Sequence, residues 1–145
     1  MLDRIVLFTI LRCDLNCIHC LRGHPVERPD FPLELLPRLL EEAQLFGARH
    51  VTFTGGEPHL HPQFIELASA IAEAGYTWNF VSNGQQTQPY LPVLERYGER
   101  LSSITLSLDG AIAATHDTLR KKATASERVL DAARQYISLG YCVNF

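Results

Sequence analysis

Strand and helix signals alternate along the whole chain, and that alternation confines it to an α/β fold with a parallel sheet. Arg4–Ile10 (RIVLFTI) is a strand-like run rich in β-branched and aromatic residues. Gly23, Pro25, Pro29 and Pro32 interrupt regular structure after it. Leu33–Phe46 reads as a helix, with Leu36, Leu39, Leu40 and Ala43 on one face and Gly47 as its stop. His50–Thr54 is a second strand. Phe64, Ile65, Ala68, Ile71 and Ala72 mark the next helix, which Gly75 ends. Thr77–Ser82 is a third strand, closed by Asn83-Gly84, and Tyr90–Tyr97 is a helix with Pro92 in its first turn. Ser103–Leu108 is a fourth strand, stopped at Asp109-Gly110. Thr124-Ala125-Ser126-Glu127 has capping-box spacing and opens a helix carrying Val129, Leu130, Ala133 and Ile137. Gly140 ends that helix, and Tyr141–Phe145 begins a fifth strand. Each crossover must return the chain to the same end of the sheet, so the strands are parallel. An open doubly wound sheet and a barrel-like closure both satisfy this pattern.

Three cysteines crowd one short loop after the first strand, Cys13-Asp14-Leu15-Asn16-Cys17-Ile18-His19-Cys20. Their spacing is C-x3-C-x2-C. Four cysteines are the usual ligands of an iron–sulfur cube. Three, with no fourth nearby, would hold three irons and leave the last one open. The alternative is a zinc-binding interaction module using Cys13, Cys17, Cys20 and His19. A second C-x2-C pair is absent, and Cys142 lies far off in an apolar strand, where it reads as a small buried hydrophobe. Cysteines this crowded argue for metal rather than disulfides, and so for a reducing cytoplasm.

The other unusual residues fall at strand ends, where parallel β/α folds gather their sites. Gly55-Gly56-Glu57-Pro58 follows strand two, Ser82-Asn83-Gly84 ends strand three, and Ser107-Leu108-Asp109-Gly110 ends strand four. Paired glycines let backbone approach a ligand closely, and Glu57 would place a carboxylate beside them. Asn-Gly and Asp-Gly also serve as plain turns, and His59 and His61 as polar loop residues. A formal net charge of −3 without a basic block gives no electrostatic footprint for nucleic acid. The longest apolar run, Ile5–Leu11, is far too short to span a bilayer, and no secretion signal is visible, so no membrane association is expected.

Taken in order, the C-x3-C-x2-C loop with His19 before its last cysteine and the GGEP segment at 55–58 resemble the radical S-adenosylmethionine (SAM) superfamily. The resemblance favours a parallel, partial TIM-like β/α barrel, truncated here to about five strands and four helices. The chain stops inside an apolar strand, so residues 1–145 are expected to be the N-terminal portion of such a core domain, with its C-terminal part missing. The resemblance implies a [4Fe-4S] cluster on Cys13, Cys17 and Cys20, with SAM chelating the open iron. It places His19 and the segment Gly55, Gly56, Glu57 and Pro58 at SAM, the segment receiving the α-amino group. It brings Ser82, Asn83 and Ser107 toward the methionyl and ribose groups, with Ser107 favoured for the ribose; Asp109 goes there or holds its turn. Reductive cleavage of SAM to methionine and a 5′-deoxyadenosyl radical would follow, with an electron donor such as flavodoxin or ferredoxin. The pattern S-L-D-G…H-D…R at 107–120 resembles the subgroup that modifies peptides and proteins, including members with C-terminal auxiliary-cluster domains. There Arg120 would meet the SAM carboxylate, and the substrate would be a peptide or protein. Lys121-Lys122-Ala123 departs from the glycine-rich sequence common in that subgroup. A truncated chain that keeps the motifs without turnover is a further alternative.

Overall fold

The computed structural model describes residues 2–21 and 29–145; the expected breakers Gly23 and Pro25, and His24, lie outside them. Five strands form one parallel sheet: β1 (Arg4–Ile10), β2 (His50–Gly55), β3 (Thr77–Ser82), β4 (Leu101–Leu106) and β5 (Val143–Asn144). Their spatial order is their sequence order. That order decides between the two closures left open above. A doubly wound sheet reverses its strand order midway. Right-handed crossovers between strands that follow in sequence instead lay every connection on the same face, the winding of a barrel.

Helices α1 (Leu36–Leu45), α2 (Phe64–Glu73), α3 (Leu91–Tyr97) and α5 (Ala125–Ser138) cover that face, while α4 (Ala113–Arg120) packs against α5 and turns Arg120 toward the cysteine loop. The strands alternate accordingly. Leu7, Val51, Phe53, Trp78, Phe80, Ile104 and Leu106 are buried, and they pack with Leu36, Leu40, Leu67, Ile71, Val93, Val129 and Tyr136 of the helices. The register carries this core straight across the sheet, Leu7 opposite Phe53, Phe53 opposite Phe80 and Phe80 opposite Ile104. Between these positions Val6 and Phe8 are exposed, and Thr52, Thr54, Asn79, Ser103 and Thr105 are half-buried. The sheet is therefore sealed on the helix side and carries a largely polar, open inner face.

Helix α4 departs from the expectation of four helices. Its buried residues are His116 and Arg120, so it has no apolar stripe for a periodicity argument to find. The expected capping box at Thr124 is also corrected. Thr124 sits in the left-handed region at φ 63° and makes no side-chain cap. The carboxylate of Asp117 caps α5 from outside, accepting the N–H groups of Thr124 and Ser126 at 2.8 Å each. Those hydrogen bonds, Ser126 foremost, hold the Asp117 carboxyl below its ordinary pKa. Strand β4 starts and ends two residues earlier than expected, and β5 pairs only through Val143 and Asn144. Among the described residues, no helix is long and apolar enough to cross a membrane.

Candidate active site

The C-terminal ends of the strands open into a solvent-connected cavity of about 210 Å³. Its wall brings together Cys13, Cys17, His19 and Cys20 from the loop after β1, Gly55, Gly56 and Glu57 from the end of β2 and the turn after it, Ser82 at the end of β3 with Asn83 after it, Ser107 just after β4, and Arg120 from α4. Pro58 and Asp109, both assigned to this site from the sequence, do not line it. Pro58 is buried at the start of a single 3₁₀ turn, and Asp109 stands behind Arg120.

Backbone pairing fixes the cysteine loop against the glycine segment. The Gly56 N–H donates to the Ile10 carbonyl at 2.5 Å and the Glu57 N–H to the Arg12 carbonyl at 2.9 Å, prolonging the β1–β2 pairing into the loop. Gly55 has a φ of 127°, and a Cβ there would collide with the Ile10 carbonyl oxygen. Only glycine lets the two segments lie this close.

Glu57 corrects the expectation of an open carboxylate. It is 1% exposed. Its Oε1 accepts the hydroxyls of Ser82 at 2.6 Å and Tyr90 at 2.5 Å, and its Oε2 accepts the Asn83 N–H at 2.9 Å. The side chain therefore ties the end of β2 to the end of β3 and to the turn before α3. Burial first, and then the Glu57 charge, push the Tyr90 hydroxyl well above its ordinary pKa, so Tyr90 stays a neutral donor.

Two further networks grip the cysteine loop. The Asn83 amide Nδ2 donates to Asp14 Oδ1 at 2.6 Å and lies 3.7 Å from Cys13 Sγ. From the other side, the Leu119 carbonyl accepts the Ile18 N–H at 2.8 Å, and Arg120 Nη1 reaches Cys17 Sγ at 3.6 Å. Arg120 Nε pairs with Asp109 Oδ2 at 2.5 Å, while His19 Nε2 stands 3.6 Å from Asp109 Oδ1. Asp109 thus orients Arg120 instead of facing the cavity. His116 is buried and its Nδ1 accepts the Asp109 N–H at 3.1 Å, which makes it the Nε2-protonated neutral tautomer. Burial, and next the Arg120 charge, lower its pKa.

Sequence reasoning missed Asp14, Tyr90 and Arg12 as parts of this assembly. Asp14 is an unremarkable residue between two cysteines, and Tyr90 meets Glu57 from 33 residues away, so no local pattern marks either. Cys142 is exposed, not buried as expected. It precedes β5, at the end of the sheet opposite the cavity, because it belongs to the N-terminal end of a parallel strand.

The chain belongs to the radical SAM superfamily: that family matches residues 7–145. An AdoMet-dependent heme synthase of Methanosarcina barkeri is 31% identical to it over 121 residues, 81% of this chain and 34% of that protein. A PqqA peptide cyclase of Ruegeria pomeroyi is 33% identical over 128 residues, 80% of this chain and 33% of that protein. Among solved structures, SuiB of Streptococcus suis bound to S-adenosylmethionine aligns with a TM-score of 0.83 at 21% identity, over 98% of this chain and 32% of that one. The protein anSMEcpe with bound AdoMet aligns at 0.76 and 20% identity, over 98% and 42%. The structural likeness establishes the partial-barrel fold. The chain spans about a third of the length of the curated relatives it matches.

Members of this superfamily are enzymes that use a [4Fe-4S] cluster and SAM, and the residues present fit that cofactor. The three thiols share one cavity wall, each partly exposed, and among the described residues no cysteine is in a disulfide. Among the described residues, no three His, Cys, Asp or Glu side chains are arranged to hold a single metal ion. Zinc needs all its ligands within about 2.3 Å of one point. A cube gives each thiolate its own iron, so its sulfurs stand wider apart.

Proposed function

We propose that this chain is the cluster- and SAM-binding part of a radical SAM enzyme whose substrate is a peptide or protein. The observation that carries the reading is the convergence of Cys13, Cys17 and Cys20 with Gly55, Gly56 and the ends of β3 and β4 on one cavity. A [4Fe-4S] cluster held by Cys13, Cys17 and Cys20 would, when bound, supply the single electron for reductive cleavage of SAM to methionine and a hydrogen-abstracting 5′-deoxyadenosyl radical.

The chain's residues hold, orient and shield. Cys13, Cys17 and Cys20 would ligate three irons. Gly55 and Gly56 offer bare backbone to the SAM amino group, while Glu57 holds that backbone in place from behind. Pro58 fixes the exit of the segment by starting its 3₁₀ turn. Ser82 and Asn83 shape the β3 side, and His19 stands at the rim. Ser107 lines the wall where a ribose would lie, and Arg120 supplies a guanidinium for the carboxylate. An electron donor of the flavodoxin or ferredoxin class would act on the exposed side of the loop, in a reducing cytoplasm. A peptide substrate is supported by the pattern at 107–120 and by the relatives: PqqA peptide cyclases match the chain, and SuiB and anSMEcpe have been solved with peptides bound.

The test is reductive cleavage. Anaerobically reconstituted protein, given dithionite and SAM, should form methionine and 5′-deoxyadenosine in equal amounts. No product from protein carrying a full four-iron complement, or tight stoichiometric zinc in place of iron and sulfide, would overturn the reading.

A further inference from the structure

Two side chains aim N–H groups at two of the three ligand sulfurs, and each is locked into that orientation by a separate anchor. We propose that Asn83 and Arg120 are positioning residues that tune the cluster, raising its reduction potential through N–H···S hydrogen bonds to Cys13 and Cys17, and that Asp109 sets the strength of the second. This rests on the cluster reading above.

The orientation of the Asn83 amide is fixed, not free to flip. Its Oδ1 accepts the Gln85 N–H at 2.9 Å, which leaves Nδ2 as the atom facing Cys13 Sγ at 3.7 Å and Asp14 Oδ1 at 2.6 Å. Asn83 is 5% exposed, and its own N–H is held by Glu57 at 2.9 Å. On the other side, Arg120 is 9% exposed, with Nη1 at 3.6 Å from Cys17 Sγ and Nε at 2.5 Å from Asp109 Oδ2. Its guanidinium is a nearly buried positive charge, partly neutralised by one carboxylate.

Reduction adds an electron, and much of that charge falls on the ligand and bridging sulfurs. Donors and positive charge beside the sulfurs favour the reduced state, and hydrogen bonding and local charge are known levers on cluster potential. The two donors differ in kind. Asn83 contributes a neutral dipole. Arg120 contributes a hydrogen bond and a charge whose field Asp109 offsets at close range. Opposite signs therefore follow for two partners of a single ion pair. Removing Arg120 makes reduction harder, and neutralising Asp109 makes it easier. A purely structural role would move both in the same direction, since either change breaks the pair.

The experiment is potentiometric titration of the reconstituted protein, followed by electron paramagnetic resonance (EPR) and run without SAM so that contacts to SAM play no part. Arg120→Leu should make one-electron reduction about tenfold less favourable, a shift of about 59 mV to more negative potential. Asn83→Leu should shift it in the same direction by less, and Asp109→Asn should shift it to more positive potential. Arg120→Lys, which keeps the charge, should lie between the parent and Arg120→Leu. If a leucine variant does not retain iron, Arg120→Lys and Asp109→Asn still give opposite signs, and the parent cluster should show couplings to exchangeable N–H protons in water against deuterium oxide. Potentials unchanged across clusters of equal iron content would overturn the inference while leaving the cluster reading standing. Shifts of the same sign for Arg120→Lys and Asp109→Asn would overturn it too. A parent protein that takes up no cluster would overturn both.

Discussion

Cys13→Ala, Cys17→Ala and Cys20→Ala proteins should each fail to retain a four-iron cluster after anaerobic reconstitution, whereas Cys142→Ala should retain it fully. Cys13, Cys17 and Cys20 sit on one cavity wall at the C-terminal ends of the strands. With the three loop thiolates as its protein ligands, a cube that loses one is held at two irons, and an alanine methyl offers no replacement donor. Nearby His19 does not rescue the site, because its Nε2 faces Asp109 at 3.6 Å. Cys142 precedes β5, at the far end of the sheet, and its carbonyl is engaged with the Ile104 N–H at 2.8 Å. Iron and sulfide analysis with visible absorption measures the outcome. Full retention in Cys17→Ala, or loss in Cys142→Ala, would contradict this assignment.

Glu57→Ala should destabilise the fold even in protein without cluster or SAM. The substitution strands the Ser82 hydroxyl, the Tyr90 hydroxyl and the Asn83 N–H in a buried space they now fill by donating to a carboxylate. Hydrogen bonds to charged groups are worth about 1.5–3 kcal/mol each, and buried donors left without acceptors incur their own desolvation cost. Allowing for non-additivity, a loss of about 3–5 kcal/mol is expected, a large share of the ~5–15 kcal/mol that holds a typical domain together. Glu57→Gln should fall between parent and Glu57→Ala, because its amide nitrogen cannot accept. Urea unfolding of the cluster-free proteins measures this. If Glu57→Ala is as stable as the parent and only SAM affinity drops, the carboxylate acts on ligand directly, as the bare motif implies, and not as the tie described here.

The contrast between those two positions shows what a sequence can carry. The cysteine loop is legible because its ligands are local: three thiols within eight residues need no tertiary information to be seen together. The strands are legible because Leu7, Val51, Phe53, Phe80 and Ile104 pack on the helix side while the residues between them do not, and that alternation is local. The winding of the sheet is not local, and only the observed order β1-β2-β3-β4-β5 separates barrel from doubly wound closure. Helix α4 escapes notice because its buried face is made of His116 and Arg120. The cap of α5 escapes for a related reason. Its acceptor is Asp117 on the preceding helix, and a capping-box motif that fits at Thr124 is overridden by a left-handed backbone there. Glu57 is the instructive case. Its motif lies on the cavity wall, but the direction of its side chain is set by Ser82 and Tyr90, which reach it across the fold.

The most direct test of the central claim is the EPR spectrum of the dithionite-reduced, reconstituted protein recorded before and after adding SAM. If three cysteines hold a cube with one iron left open to this cavity, the reduced protein shows the signal of a single [4Fe-4S]⁺ cluster, and SAM changes its g-values by ligating the open iron. A cluster signal that SAM leaves untouched, at concentrations well above those that saturate other radical SAM enzymes, would contradict it.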